Sequence, residues 1–188
     1  MYKVNNYSHL IGLEGFSEQL LKNHFSLYEG YVNNTNKLLE LLDQKEPGTI
    51  EYSELQRRFG WEWNGIRLHE LYFENLTKES NDPDETSSLG KKITKIYGSY
   101  ENWKKNFISV GSMRGIGWVI LYHDPIANEL FNVWVNEHDS GHLASCKPLL
   151  IMDVFEHAFM LDYGTKRADY INAFFKTIKW EEIQKRFE

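Results

Sequence analysis

Asp153-Val154-Phe155-Glu156-His157-Ala158-Phe159 is the most informative stretch of this sequence, because it places a carboxylate and an imidazole on one short segment. It follows directly on the apolar run from Pro148 to Met152, which is typical of a buried strand. Strand ends are where a rigid scaffold presents functional groups to a site. Taken alone, the stretch fits two interpretations equally well. It could supply two metal ligands, or Asp153 could cap a helix in which His157 is an ordinary first-turn residue.

Upstream of this stretch, the first half of the chain predicts helices. Ser17 is a candidate N-cap, and apolar side chains then recur every three or four residues as far as Leu42. The segment from Asp43 to Gly48 contains Pro-Gly and breaks the pattern. A short helix is predicted from Ile50 to Phe59, and another from about Asn64 to Lys78. Long helices joined by a short connector predict an antiparallel hairpin.

Two histidines, His24 and His69, fall on the inward faces of these predicted helices. Each alone is more typical of a core histidine bonded to a carbonyl group. Combined with Asp153 and His157, they form a set of three nitrogens and one carboxylate, which suits iron or manganese and suits calcium or magnesium poorly. Four ligands can leave a coordination position open for solvent and substrate. The single cysteine, Cys146, excludes a cysteine-rich zinc or iron–sulfur site.

The second half of the chain has a mixed pattern. The polar, acidic segment from Glu79 to Ser88 is the best linker candidate, and it divides the chain into residues 1–85 and 86–188. We therefore expect an α+β protein, with a helical N-terminal lobe and a C-terminal lobe built on a small antiparallel sheet. The predicted helices of this half cover residues 89–97, 100–110, 167–177 and 180–186, and the predicted strands cover residues 116–122, 129–136 and 148–152.

Composition restricts the class of protein. The chain has 188 residues, 41% of them hydrophobic, and a formal net charge of -6. An acidic balance argues against a surface that binds nucleic-acid phosphates. No apolar run approaches the roughly 20 residues needed to span a bilayer, and the start, Met1 to Asn6, does not resemble a signal peptide. We therefore expect a cytoplasmic globular protein with no nucleic-acid and no membrane partner.

Further motifs occur in consistent order and spacing around residues 153–159. They are Gly115-Ile116-Gly117-Trp118, His69-Glu70-Leu71-Tyr72-Phe73, Arg167-Ala168-Asp169-Tyr170-Ile171 and Lys179-Trp180. With these motifs, the chain from about Phe16 to its C-terminus resembles the iron/manganese superoxide dismutase family. The resemblance implies an N-terminal α-helical hairpin followed by an α/β C-terminal domain with a three-stranded antiparallel sheet.

The resemblance also implies an activity and the residues that carry it. His24, His69, Asp153 and His157 correspond to the family's metal ligands and would hold one iron or manganese ion per chain. The implied substrate is superoxide, which is converted to dioxygen and hydrogen peroxide. In the family, the glutamate at the position of Glu156 crosses a dimer interface to the partner's ligand histidine, so the resemblance implies a homodimer formed through Glu156 and His157.

Three further residues are candidates for roles around the metal. In the family, a glutamine or histidine at one of two positions hydrogen-bonds the metal-bound solvent. The first position is Gly65 here, which has no side chain, so the role is assigned to His138. Tyr28, four residues after the first ligand, matches a family position in the surrounding shell. The family's gateway tyrosine would fall at Val32, whereas Tyr31 lies one residue early, which implies either a local helix irregularity or an altered gateway.

Some positions depart from the family pattern. Phe73 and Phe155 replace tryptophans near the metal, and Met160 replaces an interface tyrosine, so the apolar wall is kept while hydrogen-bond donors are lost. With Val32, these departures leave two alternatives open: a non-catalytic metal-binding or scaffold protein that keeps the fold, and a mononuclear non-haem iron enzyme of other oxygen chemistry. Arg167 resembles a family arginine near the interface and is a candidate for steering the anion.

Overall fold

The computed structural model describes residues 1–188. Its N-terminal half is dominated by two long antiparallel helices, α1 (Glu18–Asp43) and α2 (Ile50–Glu74), which pack against each other. Both helices begin at a side-chain cap, because the Ser17 hydroxyl accepts a hydrogen bond from the Leu20 N–H and the Thr49 hydroxyl accepts one from the Tyr52 N–H. The predicted helical hairpin and the N-cap at Ser17 are confirmed.

The prediction of two separate helices between residues 50 and 78 is wrong, because α2 is continuous from Ile50 to Glu74. The stretch from Phe59 to Trp63 lacks a regular apolar period, which suggested a break. However, it contains no proline, and a glycine such as Gly60 costs a helix only about 1 kcal/mol. Packing against α1 is sufficient to carry the helix through this stretch.

The C-terminal half confirms the predicted mixture of helices around a small sheet. The sheet has three antiparallel strands in the order β2-β1-β3, and the central strand β1 is almost completely buried. The strands are β1 (Gly117–Asp124), β2 (Glu129–Asn136) and β3 (Lys147–Asp153). The helices are α3 (Ser88–Tyr97), α4 (Tyr100–Gly111), α5 (Met160–Tyr163), α6 (Arg167–Phe175) and α7 (Trp180–Phe187), and a 3-10 turn covers Glu156–Ala158.

The end of α2 is attached to the sheet and to the C-terminal segment. The Asn75 side chain donates a hydrogen bond to the Ile151 carbonyl of β3 (2.7 Å), and the Asn75 carbonyl accepts one from the Lys179 N–H (2.7 Å). The Thr77 N–H donates to the Thr177 carbonyl (2.8 Å). These bonds hold the last turns of α2, which carry His69, over the end of β3, which carries Asp153.

The two long helices contain 26 and 25 residues and are long enough to cross a bilayer. Both carry charged side chains along their length. No helix of this chain is at once long enough and apolar enough to cross a membrane.

Candidate metal centre

Four side chains from four separate elements meet in the interior. His24 comes from α1, His69 from α2, Asp153 from the last position of β3 and His157 from the 3-10 turn that follows. Their candidate ligand atoms all lie within 4.8 Å of one another. Asp153 Oδ2 lies 3.1 Å from His24 Nε2, 3.0 Å from His157 Nε2 and 3.7 Å from His69 Nε2. We call these four residues the histidine–aspartate cluster.

The free nitrogen of His69 indicates that the cluster suits a metal ion. Its Nδ1 lies 2.6 Å from the Gly65 carbonyl oxygen, which can only accept, so Nδ1 carries the proton and Nε2 presents a lone pair. That Nε2 atom is fully buried and has no hydrogen-bond partner. Buried polar atoms are normally paired, and a cation at the centre of the cluster would satisfy this one. The donor set of three imidazole nitrogens and one carboxylate fits iron or manganese.

The protonation states of the cluster also favour a cation. Burial lowers the pKa of His24 and lowers that of His69 further, so both rings are neutral at pH 7 and can act as ligands. Burial acts to raise the pKa of the Asp153 carboxyl, but the charge and hydrogen bonds of His157 and His24 outweigh it and hold the pKa far below its ordinary value. The cluster therefore offers the neutral imidazole nitrogens of His24 and His69 beside a carboxylate anion.

The backbone at the end of β3 fixes the direction of the Asp153 side chain. Its Oδ1 accepts a hydrogen bond from the Phe155 N–H (2.8 Å), and its carbonyl accepts one from the Tyr170 hydroxyl (2.6 Å). Strand pairing places Asp153 opposite Trp118 of β1. One carboxylate oxygen therefore closes a local turn with the Phe155 N–H while the other faces the histidines. Asp153 does not cap a helix, because the 3-10 turn that follows has Phe155 as its N-cap residue and no side-chain cap.

Aromatic rings surround the cluster, of which only the His157 side chain is partly exposed, at 21%. Phe73 lies 5.0 Å and Tyr72 5.2 Å from the His24 ring, centroid to centroid. Trp118 lies 5.0 Å from His69, and Phe155 lies 5.2 Å from His157. The aromatic wall expected from the sequence is present at these four positions.

His138 lies beside the cluster and is completely buried, at 0% exposure. Trp118 Nε1–H donates to His138 Nδ1 (3.1 Å), and because an indole N–H cannot accept, Nδ1 is the unprotonated nitrogen. Nε2 then carries the proton and donates to the Tyr31 hydroxyl oxygen (2.8 Å). Burial lowers the pKa of His138 to about 4, which keeps this neutral tautomer at pH 7.

Tyr31 occupies the position between His138 and the cluster, although it lies one residue earlier than the family spacing implies. The helix α1 is regular, and at about 3.6 residues per turn the seven residues from His24 to Tyr31 span almost two turns. Tyr31 therefore lies on the same face as His24, and its ring stacks on His69 at 5.2 Å. Val32 is buried in the core instead. The structure thus shows no helix irregularity at this point.

Gly65 leaves room for the Tyr31 ring. A Cβ atom at residue 65 would lie only 2.5 Å from Tyr31 Cδ1, which is closer than side chains tolerate. The space that a side chain at residue 65 would take is therefore filled by the Tyr31 ring.

Tyr28 is placed differently from the other candidates. Its ring is buried, but its hydroxyl donates to Glu70 Oε1 (2.9 Å) and accepts from the Asn5 N–H (3.1 Å). Glu70 Oε2 accepts from Arg67 (2.5 Å). The Tyr28 hydroxyl makes no hydrogen bond to the histidine–aspartate cluster or to His138, so the structure brings Tyr31 and His138 to the site and leaves Tyr28 in a separate network.

The residues expected at an interface lie on the surface next to His157. Glu156 and Met160 are exposed, as is Leu161 at 56%. Arg167 does not present its guanidinium to the cluster, because it donates to the Met113 and Gly115 carbonyls (2.7 and 2.8 Å).

Two residues that contact the candidate tyrosines were missed in the sequence. Trp61 packs on Tyr31 and His138, and Glu70 anchors Tyr28. The spacing of Trp61, Gly65 and His69 at intervals of four residues indicates one side of a helix and could have identified Trp61. Nothing in the pattern pointed to Glu70 as a partner of Tyr28, because the two residues lie on different helices.

Comparison with known proteins agrees with this geometry. A family model described as iron/manganese superoxide dismutases, C-terminal domain, matches residues 85–186. A manganese superoxide dismutase of Haloferax volcanii is 37% identical over 175 residues, covering 92% of this chain and 87% of the relative. An iron superoxide dismutase of Saccharolobus solfataricus is 32% identical over 180 residues, covering 92% and 85%. The chain therefore belongs to the iron/manganese superoxide dismutase family, whose members are oxidoreductases.

Proposed function

We propose that this chain is a superoxide dismutase that holds one iron or manganese ion at His24, His69, Asp153 and His157. The observation that carries the proposal is the convergence of three imidazole nitrogens on one buried carboxylate oxygen, with the His69 Nε2 lone pair unpartnered. The names of the relatives, which include both manganese and iron dismutases, support either metal.

The reaction consumes two superoxide anions and two protons for each dioxygen and hydrogen peroxide formed. The bound ion would supply the electron exchange by alternating between its +3 and +2 states. The Asp153 carboxylate offsets part of the positive charge, and the aromatic wall keeps bulk water away from the cluster. Because Tyr31 accepts a hydrogen bond from His138 Nε2–H, its own O–H proton remains available to donate inside the site.

The test is metal analysis combined with a direct assay of superoxide decay on purified protein. We expect about one iron or manganese per chain and decay well above the spontaneous rate. His24→Ala should abolish both, whereas His9→Ala, which changes an exposed histidine, should leave both unchanged. Bound metal without superoxide consumption would favour the non-catalytic or other-oxygen-chemistry alternatives. Absence of metal after supplemented expression would contradict every metal-dependent function.

The position of Tyr31 bears on the non-catalytic alternative. That alternative was motivated by Val32 at the gateway position, and Tyr31 supplies a phenol on the correct face of α1 in its place. The remaining departures, Phe73, Phe155 and Met160, preserve apolar contacts. No specific observation favours a second function.

We also propose that the protein is a homodimer that associates through Glu156 and His157. Support comes from an exposed apolar surface beside these residues, formed by Leu27, Met160 and Leu161. A surface of this kind is typical of an interface between subunits. Analytical ultracentrifugation should give a dimer, and Leu161→Glu should shift it towards monomer, whereas Ile126→Glu, at an exposed apolar residue elsewhere, should not.

Two further assignments stay proposals. We propose that residues 1–85 and 86–188 form the two domains, which is supported by the start of the matched C-terminal family model at residue 85. We propose a cytoplasmic location, supported by the single free cysteine, Cys146, which suits a reducing compartment. Limited proteolysis near the residue 85 boundary and subcellular fractionation test these assignments.

A further inference from the structure

Trp61 covers the outer side of the hydrogen-bonded pair Tyr31 and His138. Its ring centroid lies 4.6 Å from that of His138 and 5.5 Å from that of Tyr31, and both contacts are edge-to-face. Trp61 itself is half-buried. Its ring pairs are with Tyr31 and His138 and not with the histidine rings of the histidine–aspartate cluster.

The indole N–H of Trp61 is tied to the segment that carries His138. It donates to Glu137 Oε2 at 3.0 Å, across from α2 to the turn after β2. Glu137 has a φ of 51°, a left-handed conformation that is unfavourable for a residue with a side chain. This conformation leaves Glu137 exposed and His138 buried, although the two residues are adjacent. The Trp61 bond therefore holds the strained residue that directs His138 inward.

The other side of the Trp61 ring is fixed by a cation. The Arg58 guanidinium carbon lies 3.8 Å from the ring centroid, and Arg58 Nε donates to Glu62 Oε1 at 2.9 Å. A guanidinium stacked on a tryptophan ring is attracted by the negative face of the ring. Trp61 is thus packed between Arg58 and His138, and its N–H is directed to Glu137.

We propose that Trp61, held by Arg58 and Glu137, is a positioning residue that keeps the His138 imidazole donating to the Tyr31 hydroxyl. The role rests on the proposed dismutase function, since the His138–Tyr31 pair matters for the proton supplied beside the metal. Because its ring contacts are with His138 and Tyr31 rather than with the four candidate ligands, its effect on the site passes through these two residues.

The test compares Trp61→Phe with Trp63→Phe. Trp63 lies on the same helix and donates its indole N–H to the Tyr2 hydroxyl (2.9 Å), so both substitutions keep a ring and remove one hydrogen bond. Metal content should be unchanged in both variants. Superoxide turnover at saturation should fall by about 10-fold in Trp61→Phe. This is in the range typical of losing a residue that orients the groups around a metal without binding it. The midpoint potential of the bound metal should shift in Trp61→Phe alone.

Substitutions at Glu137 supply a second measurement that does not depend on the tryptophan. Glu137→Gln keeps an acceptor oxygen and should retain turnover and potential, whereas Glu137→Ala should reproduce the Trp61→Phe change in both. Equal potentials and turnover in the Trp61→Phe and Trp63→Phe variants would overturn the inference while leaving the dismutase proposal intact. Loss of thermal stability in Trp61→Phe without any change in potential would also overturn it. An inactive wild-type protein would overturn both proposals.

Discussion

Tyr28 and Tyr31 lie one turn apart on the same helix, and both were candidates for a role at the metal. Their hydroxyl groups form hydrogen bonds in two different regions of the protein. The Tyr28 hydroxyl enters a network in which it donates to Glu70 and accepts from the Asn5 N–H, while the Asn5 side-chain amide donates to Glu70. The Tyr31 hydroxyl meets His138 beside the histidine–aspartate cluster. Burial raises the pKa of both phenols well above 10, so both stay protonated.

The difference between the two regions shows that the spacing of residues along a helix predicts which face a side chain lies on. It does not predict which residue that side chain bonds to. Tyr28 is surrounded by Glu70 of α2 and by the N-terminal segment at Asn5, which together satisfy its hydroxyl. Tyr31 lies where α2 carries Gly65, so its ring fits against that helix and reaches the loop after β2. We therefore expect the Tyr28 region to affect stability and the Tyr31 region to affect activity.

The largest expected effect comes from removing the carboxylate at the centre of the cluster. Asp153→Asn keeps the side-chain shape but loses the anion that the histidines surround. Metal affinity should fall by more than roughly 10–100-fold, which is the range typical of losing a residue that only hydrogen-bonds to a metal ligand. Asp139→Asn, at an exposed aspartate next to His138, is the matched control and should retain metal. Metal content measured after dialysis against a chelator distinguishes the two, and equal retention would contradict the ligand assignment.

Acid should destabilise the metal-free protein through the Tyr31 region. Burial lowers the pKa of His24, His69 and His138 in the folded state, so below about pH 6.5 the unfolded chain binds more protons and stability falls. Each histidine contributes up to about 1.4 kcal/mol per pH unit in this window, and for His138 the loss continues down to about pH 4. The contribution of Asp153, whose folded pKa is depressed, is lost only below its unfolded pKa, near 3.8.

Urea unfolding of metal-free protein between pH 5 and 7 measures this slope. His138→Gln should reduce the slope by one histidine's share, because glutamine does not titrate. Tyr28→Phe should lower stability without changing the slope, since its network contains no histidine. A slope that is insensitive to His138→Gln would show that this ring is not held neutral.

The next largest expected effect is the difference between Tyr28→Phe and Tyr31→Phe in stability and in superoxide decay. Tyr28→Phe leaves the buried Glu70 carboxylate without one of its donors and should cost about 1–3 kcal/mol of unfolding free energy. Tyr31→Phe also lowers stability, because it removes the acceptor of the buried His138 Nε2–H, but unlike Tyr28→Phe it should slow superoxide decay by removing a proton donor. Chemical denaturation and superoxide assays on both variants test the division, and the reverse pattern would refute it.

The smallest expected effect on stability comes from Gly65→Ala. Crowding of the new methyl group against Tyr31 should lower the free energy of unfolding by about 1–3 kcal/mol. Replacing a helical glycine with alanine should raise it by about 1 kcal/mol, so the net change is small. Superoxide decay should nevertheless fall, because the methyl group displaces Tyr31 from His138. Gly60→Ala is the control, since a Cβ there meets no atom within 4 Å, and it should stabilise the protein with activity unchanged.

The sequence predicted the major elements because their signals are local. Ser17 is an N-cap by its own chemistry, and the alternation around Glu129 to Asn136 produces a strand with those same limits. The break expected near residues 60–63 was wrong, because packing on α1 supports a stretch whose apolar period is weak. Local pattern therefore failed where tertiary contacts supply the stability.

Residue types and their order along the chain determined the family, the donor set of the candidate metal centre and the α+β class, since these depend on motifs and on hydrophobic period. Only the tertiary structure decided which hydroxyl faces which partner. Tyr31 rather than Tyr28 meets His138, Gly65 makes room for that ring, and Trp61 closes the outer side. These contacts join side chains from α1, α2 and the turn after β2. A hydrogen bond between segments that are far apart in the sequence produces no periodic pattern in either segment, so the sequence could not reveal it.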